Sequence, residues 1–397
     1  MRLAAPIEWS QAEMEILKYA AAHLTFREEL REFCRQQVEP FIDQWEAAHQ
    51  VPKSVWRKMG RAGFLCTAVD REYGGRQGDF LYSVIALEEV SRTNHYGLDA
   101  FLHSDIVVPY IASYGSDAQK KKYLPGCISG DYITAIAMTE PNAGSDLSSM
   151  AMTGVEDGEH VILNGTKTFI SNGVICDLVI VAARDPAVQN PYQAISLYLV
   201  EDGTHGFAKG PPMEKLGVRS QDTNELYFND CRIPAIQRLG EKGRGFEMLM
   251  CKLQQERLLV AVLAHAKAEF ILDWTRRFFA ESIGANGTSL PQAVQFAIAE
   301  VGTDVEIART FRDKLIADHM EHLDITVATC MAKYWMTDLA NRAADRCLDL
   351  VGEAALTEAC PIVRTFRDVR VMPIFAGTNE IMKTIIAKKI GDPRVRA

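Results

Sequence analysis

The spacing of apolar residues changes twice along this chain, and those two changes restrict its fold more than any other feature. From Thr25 the apolar positions recur at helical spacing, as in Phe26, Leu30, Phe33, Cys34 and Val38. From Ile133 to about Pro234 the period falls to two, and Gly and Pro turns separate the runs. From Gly245 onward the helical period returns. Helices, then a strand-rich block, then helices predict an α+β multidomain protein. The expected parts are an N-terminal α-helical domain (1–133), a central antiparallel β domain (134–243) and a C-terminal four-helix bundle (244–397).

Local signals place the elements. Thr25, with Glu28 at the capping-box position, predicts the start of the first strong helix. Residues 1–23 read as a poorly patterned leader. A helix after Pro52 is broken by Gly60 and Gly63, others cover Phe80 to Ser91 and Leu98 to Tyr114, and one from Asp117 ends at Pro125-Gly126. In the strand block, Asn164-Gly165 between His160–Leu163 and Thr166–Ile170 predicts a hairpin turn. Beyond it, helices are expected from Gly245 to about Phe279, Pro291 to about Asp318, Leu323 to Leu350 and Thr378 to Ile390.

Composition excludes some functions. The net charge of −9 argues against nucleic acid or an anionic membrane surface as the main partner. Nine cysteines, odd in number and without a C-x-x-C, read as reduced thiols in a cytoplasmic protein. No signal peptide or transmembrane segment is evident.

Several clusters have the right residues for chemistry. Ile136 to Asp146 ends an apolar run at Thr139, and Pro141 and Gly144 then force a loop carrying the Thr139 and Ser145 hydroxyls. Such a loop suits a polar heterocycle or a phosphate; a capped strand-to-loop turn satisfies the same pattern. Phe169 and Ser171, two apart on a strand, share a face on which a flat ring could stack and accept a hydrogen bond, or they are a core aromatic beside a turn serine. Glu256 lies among Leu253, Leu258, Leu259 and Val260, where desolvation would raise its pKa and make it a general base; on the polar face beside Gln254, Gln255 and Arg257 it would be solvated instead. Thr378 can cap the last helix, whose N-terminal N–H groups suit a carbonyl oxygen or phosphate. Three other features read as structural: His103 and Asp105 as a hydrogen-bonded pair at a helix seam, Gly240 to Gly245 as a turn feeding a helix, and His319 with His322 as a solvated helix surface.

Taken together, four segments resemble the acyl-CoA dehydrogenase family. They are Ala137-Met138-Thr139-Glu140-Pro141-Asn142-Ala143-Gly144-Ser145-Asp146, Lys167-Thr168-Phe169-Ile170-Ser171-Asn172-Gly173, Gln255-Glu256-Arg257-Leu258-Leu259 and Gly377-Thr378-Asn379-Glu380-Ile381-Met382. They stand in family order, and the look is closest to the long-chain members. The resemblance implies FAD as cofactor, α,β-desaturation of an acyl-CoA thioester in fatty-acid β-oxidation, and electron-transfer flavoprotein as electron acceptor. It implies cofactor contacts from Ile136, Met138, Thr139, Ser145, Phe169, Ser171, Gln292, Thr378 and Glu380, and substrate contacts from Ser145, Arg257, Ala376 and Gly377. Most members carry the catalytic carboxylate immediately before the Gly-Thr of the last segment. Here that residue is Ala376, and the resemblance moves the base to Glu256, as in the long-chain and isovaleryl branches. The same fold also hosts flavin monooxygenases, which need no such base.

Two family segments are altered. The arginine of the usual Arg-x-x-Phe-Gly falls on Glu281 or, with a one-residue gap, on Ser282. The usual Gln-x-x-Gly-Gly reads Asp349-Leu350-Val351-Gly352-Glu353. Acidic groups would then face a pyrophosphate. The expected assembly is therefore either a homotetramer or an α2β2 heterotetramer with a homologous subunit.

Overall fold

The computed structural model describes residues 16–286 and 289–391, with the backbone alone for 282–286. The leader before residue 16 and the side chain of Ser282 thus lie outside the described residues. Ahead of the sheet come α1 (Ala21–Gln37), α2 (Ile42–Ala48), α3 (Lys53–Arg61) and α4 (Phe80–Arg92). A π-helical segment, Leu102–Val107, then runs into α5 (Val108–Tyr114), and α6 (Asp117–Ser129) follows.

Two expected boundaries moved. Thr25 is not the cap of α1. The helix begins one turn earlier, where the His23 ring nitrogen Nδ1 accepts the Ala20 N–H at 3.1 Å. Pro125-Gly126 does not end α6, which continues to Ser129 and stops at left-handed Gly130. Packing explains the extension: Gly60 of α3 lies so close to Ser129 that a Cβ would sit 2.3 Å from its carbonyl. Tertiary contact here overrides the local preference of proline.

The strands are β1 (Thr134–Ala137), β2 (Thr153–Asp157), β3 (His160–Ser171), β4 (Leu178–Arg184), β5 (Ile195–Glu201), β6 (Phe207–Lys209), β7 (Thr223–Pro234) and β8 (Arg238–Leu239), with a short α7 (Pro191–Ala194) before β5. They form one sheet in the order β6-β7-β3-β2-β4-β5-β8, and β1 adds onto β4. Pairing is antiparallel except that β1 and the start of β2 run parallel to β4. The Asn164-Gly165 hairpin is not formed. The turn lies between β2 and β3 at Gly158, and β3 passes straight through Asn164. Asn164 instead trades hydrogen bonds with Asp230 of β7 across a bulge, and Gly165 is needed because a Cβ there would meet Met152 at 2.8 Å. An isolated Asn-Gly thus served close backbone approach, the other use of glycine in a strand.

Strand β4 is buried on both faces, and its alternation divides two cores. Leu178, Ile180 and Ala182 join the core shared with the helices, whereas Val179, Val181 and Ala183 pack in a second core within the β region.

After the sheet come α8 (Gly245–Asn286), α9 (Gln292–Met320), α10 (Thr326–Val351), α11 (Pro361–Val369) and α12 (Asn379–Ile390). The short α11 has no counterpart in the sequence reading. Helix α8 is the axis of the molecule: it packs on α4, α9 and α10 and touches β5. It is buried all round from Glu256 to Ala268, which is the behaviour of a central helix.

Candidate functional site

Glu256 enters α8 where the helix first becomes enclosed. Its carboxyl oxygen Oε2 is buried and accepts no hydrogen bond. Burial pushes its pKa up to about 7, against the opposing pull of the Arg257 and Lys333 charges. The solvated alternative for Glu256 therefore does not hold. A carboxylate with a free lone pair and a pKa near neutrality has the properties of a general base.

The neighbours of Glu256 come from two further elements. The Arg257 guanidinium donates through Nη1 to the Cys330 sulfur on α10 at 3.5 Å, while its buried Nε has no partner. One turn along α10, the fully buried Lys333 ammonium donates to the Gly377 carbonyl at 2.8 Å and to Asn379 Oδ1 at 3.0 Å. Burial draws the Lys333 pKa down to about 8. Asn379 in turn donates to Asp338 at 2.8 Å and to the Tyr334 carbonyl. The turn before α12 is thus fastened to α10, with Ala376 and Gly377 both left-handed (φ 54° and 87°). Thr378 caps α12 by accepting the Ile381 N–H at 3.3 Å, as its sequence position predicts. Lys333 was absent from the sequence reading, and Asn379 appeared there only within the last family segment, with no role of its own. Their signal was a lysine on the apolar stripe of α10, beside Cys330, Ala332 and Met336, where only a paired ammonium is tolerated.

The loop after β1 and the end of β3 lie side by side. The Thr139 carbonyl accepts the Thr168 N–H at 2.9 Å. Beneath them, buried Lys167 donates to the Met138 carbonyl at 3.0 Å and pairs with Glu140 at 2.8 Å. Glu140 also accepts the Ala151 and Met152 N–H groups, so one carboxylate anchors the loop at both ends. A register shift between Lys167 and Ile170 leaves Phe169 left-handed at φ 57° and 68% exposed. A phenyl ring held outward on a strained backbone is a surface kept for a contact the chain itself does not make. The core-aromatic alternative for Phe169 falls away. Ser171 is partly exposed, and its hydroxyl donates to Gln221 Oε1 at 3.4 Å.

The remaining expected residues separate from this centre. Ser145 is exposed on the loop beyond Thr139, and Ile136 and Met138 are partly buried along β1 and its end. Gln292 is exposed at the start of α9 and Glu380 at the start of α12. Glu281 lies 25 residues along α8 from Glu256, about 38 Å at the helical rise. Asp349 lies 16 residues beyond Lys333, about 24 Å along α10. Glu281, Asp349 and Glu353 are all exposed, so within one chain these carboxylates do not reach the Glu256 pocket.

The three features read as structural carry no chemistry, but two of them differ in detail from their sequence reading. His103 and Asp105 do not bond to each other: His103 bonds Thr134 at 2.8 Å and the Cys127 carbonyl at 3.0 Å, while Asp105 accepts from Ser83 at 2.5 Å. Gly243 donates to Ser196, fixing the turn before α8. The solvated surface holds only for exposed His322: His319 is half-buried with its ring edge-on to Phe80, and burial draws its pKa down to about 4. Among the described residues no His, Cys, Asp and Glu cluster could hold a metal ion, and no helix is long and apolar enough to cross a membrane.

Comparison with known proteins agrees with this layout. Family models for the N-terminal, middle and C-terminal domains of acyl-CoA dehydrogenase match residues 20–131, 135–231 and 243–391. The chain is 42% identical to the mitochondrial long-chain specific acyl-CoA dehydrogenase of Sus scrofa, over 94% of this chain and 87% of that one. It superposes on the crystal structure of an acyl-CoA dehydrogenase from Geobacillus kaustophilus with a TM-score of 0.90 and 44% identity, covering 94% and 98% of the two chains. The structure described as an FAD complex of PigA matches with a TM-score of 0.87 and 25% identity, over 96% and 100%. The matched models and relatives define an oxidoreductase of this three-part architecture, a sheet-forming middle domain between two helical domains in the sequence. The chain belongs to the acyl-CoA dehydrogenase family.

Proposed function

We propose that the protein is an FAD-dependent acyl-CoA dehydrogenase that converts an acyl-CoA thioester to the trans-2-enoyl-CoA, with Glu256 as the base. The carrying observation is the buried Glu256 carboxyl, whose Oε2 has no partner and whose pKa lies near 7. Desaturation removes an α proton, and Glu256 is a carboxylate equipped to take it. The position before Gly377, occupied by a carboxylate in most of the family, is Ala376 and can accept no proton.

The exposed Phe169 ring, the Ser171 hydroxyl and the Thr139 loop fit FAD, since they combine a flat apolar face with hydroxyls at its edge. When bound there, FAD supplies the acceptor for the β hydrogen as hydride. Ile136 and Met138 complete that wall, with Ser145 toward the CoA side. Arg257 orients the acyl group. The Ala376–Gly377 turn, tied by Lys333, polarises the thioester carbonyl through backbone N–H groups, which stabilises the negative charge that develops as the α proton leaves. Electrons leave to an electron-transfer flavoprotein. The nine free thiols support a reducing compartment.

The exposed carboxylates favour a second reading of the assembly. Gln292, Thr378 and Glu380 are the expected contacts to the outer part of FAD, yet Glu281, Asp349 and Glu353 replace residues that the family directs at the pyrophosphate. In an α2β2 assembly a homologous subunit supplies that wall, and half as many FAD molecules are bound as in a homotetramer.

The test is an anaerobic panel of straight-chain and branched acyl-CoA thioesters, followed by loss of flavin absorbance. Wild-type protein bleaches with its substrate and Glu256→Gln does not. A Glu256→Gln variant that keeps full activity overturns the dehydrogenase reading and leaves the monooxygenase one.

A further inference from the structure

Behind Ser171 lies a buried polar chain that no role assigned above uses. The Ser171 hydroxyl donates to Gln221 Oε1 at 3.4 Å. The amide nitrogen of the same Gln221 donates to Asp99 Oδ2 at 2.5 Å. Asp99 sits just before the π-helical segment and is 5% exposed, and its other oxygen, Oδ1, is buried without a partner. Gln221 is equally buried, and its backbone carbonyl is held by Lys215. Three side chains from three segments thus connect a buried acid to a hydroxyl of the proposed flavin wall.

The direction of this chain follows from donor and acceptor counts. An ionised carboxylate only accepts, so it must face the Gln221 NH2, and the amide oxygen is left toward Ser171. That oxygen takes the Ser171 proton and draws it inward. A protonated Asp99 can donate instead. The amide then turns over, its NH2 faces the Ser171 oxygen, and the hydroxyl proton is released outward. We propose that Asp99 is a positioning residue: acting through Gln221, it decides whether the Ser171 hydroxyl points its proton into the protein or toward the flavin.

Charge around Asp99 sets the balance. Burial pushes its carboxyl up to about 8, opposed by the Leu102 N–H that donates to it, by Lys215 and by the Gln221 amide, while Asp222 pushes the other way. Tyr96 also feels the Asp99 charge, and its own phenol is held neutral by burial. Lys215 donates to Thr223 at 2.8 Å, and burial lowers its pKa to about 8. Both Asp99 and Lys215 therefore titrate close to neutrality, and the chain is able to switch.

This rests on the flavin reading, and the experiment separates the two. Wild type, Ser171→Ala, Asp99→Leu, Asp99→Asn, Gln221→Leu and the Asp99→Leu/Ser171→Ala pair are purified as holoenzymes. The absorption maxima and midpoint potential of the bound flavin are measured between about pH 6 and pH 9. Asp99→Leu and Gln221→Leu shift the spectrum and slow substrate reduction about tenfold, the scale of one oriented hydrogen bond. In the Ser171→Ala background the Asp99→Leu shift disappears. Asp99→Asn keeps an acceptor oxygen, so it restores the spectrum and loses the pH dependence of the potential. Equal Asp99→Leu shifts with and without Ser171 overturn the proposal, as does an Asp99→Asn holoenzyme that titrates like wild type. If Asp99→Leu does not fold, the Asp99→Asn titration and Gln221→Leu decide alone. Wild-type protein that takes up no FAD, either alone or co-expressed with a homologous subunit, overturns the flavin reading itself.

Discussion

The Lys333 ammonium holds the Gly377 carbonyl at 2.8 Å, from a helix that also faces Glu256. One buried charge therefore does two things. It fixes the left-handed Ala376–Gly377 turn, and it restrains the rise in the Glu256 pKa. Replacing Lys333 by Met removes both. The variant loses two hydrogen bonds to the turn, for about 1–3 kcal/mol of stability. Without the nearby positive charge the Glu256 pKa climbs further. The acid limb of the kcat/KM profile should move to higher pH, and its midpoint in Lys333→Met against wild type is the measurement.

Glu256 itself links activity to stability in opposite directions. Its carboxyl titrates at about 7 in the native state, above its ordinary value of 4.5. The native protein thus holds that proton more tightly than the unfolded chain. Its contribution is fully present below the ordinary pKa and is lost as pH rises through about 7. Glu256→Gln removes that loss. At pH 8 the variant should be on the order of 3 kcal/mol less penalised than wild type, while substrate reduction of the flavin falls by several orders of magnitude. Urea unfolding at about pH 5 and pH 8 reads the first effect. A wild-type curve with no extra loss between those pH values would contradict the assignment of a raised carboxyl.

How far the sequence reaches is visible in three places. The change of period announced the helix–sheet–helix order because each period is local and needs no tertiary information. Thr378 was recognised as a cap for the same reason. Glu256 was undecided by its own pattern, since Gln254, Gln255 and Arg257 around it look like a polar face; only the packing of α8 on three sides encloses it. Lys333, Gln221 and Asp99 could not be found, because their partners lie 44, 50 and 122 residues away. The Asn164-Gly165 error has the same origin: the pair reads as a turn until β7 is known to run alongside it.

The Lys167–Glu140 pair ties the Thr139 loop to β3, and both side chains are nearly fully buried. Glu140→Gln leaves the ammonium facing a neutral amide in the interior. Breaking one partner of a buried pair costs about 3–5 kcal/mol. The expected result is a large drop in the urea midpoint together with weaker FAD retention on gel filtration, since the loop it anchors belongs to the flavin wall. A loss of stability with unaltered FAD retention would make the pair structural alone.

The exposed carboxylates predict the assembly. Homomeric protein should be deficient in FAD if Glu281, Asp349 and Glu353 oppose the pyrophosphate, because like charges at 4–6 Å cost on the order of 1 kcal/mol or more each. Co-expression with a homologous subunit should restore binding at half the usual ratio per chain. Absorbance and protein mass on the same chromatographic peak give the ratio. One FAD per protomer in a homotetramer refutes the heteromer.

Phe169 gives the prediction with the least ambiguous sign. Its backbone is left-handed at φ 57°, a region that costs an L-residue roughly 1 kcal/mol and glycine almost nothing. Its ring is 68% exposed, so little core packing is lost when it is removed. Phe169→Gly should therefore leave the apoprotein as stable as wild type or up to about 0.5 kcal/mol more stable, once the added flexibility of the unfolded chain is subtracted. The ring's contact with the cofactor is lost at the same time. Stacking on an aromatic face is worth about 0.5–1.5 kcal/mol, so the FAD dissociation constant should rise about two- to tenfold. Thermal melts of the apoprotein and FAD titration of the same preparation measure the two effects independently. A destabilised apoprotein with unchanged FAD affinity would place the ring in the fold, and the opposite pattern places it in the cofactor wall.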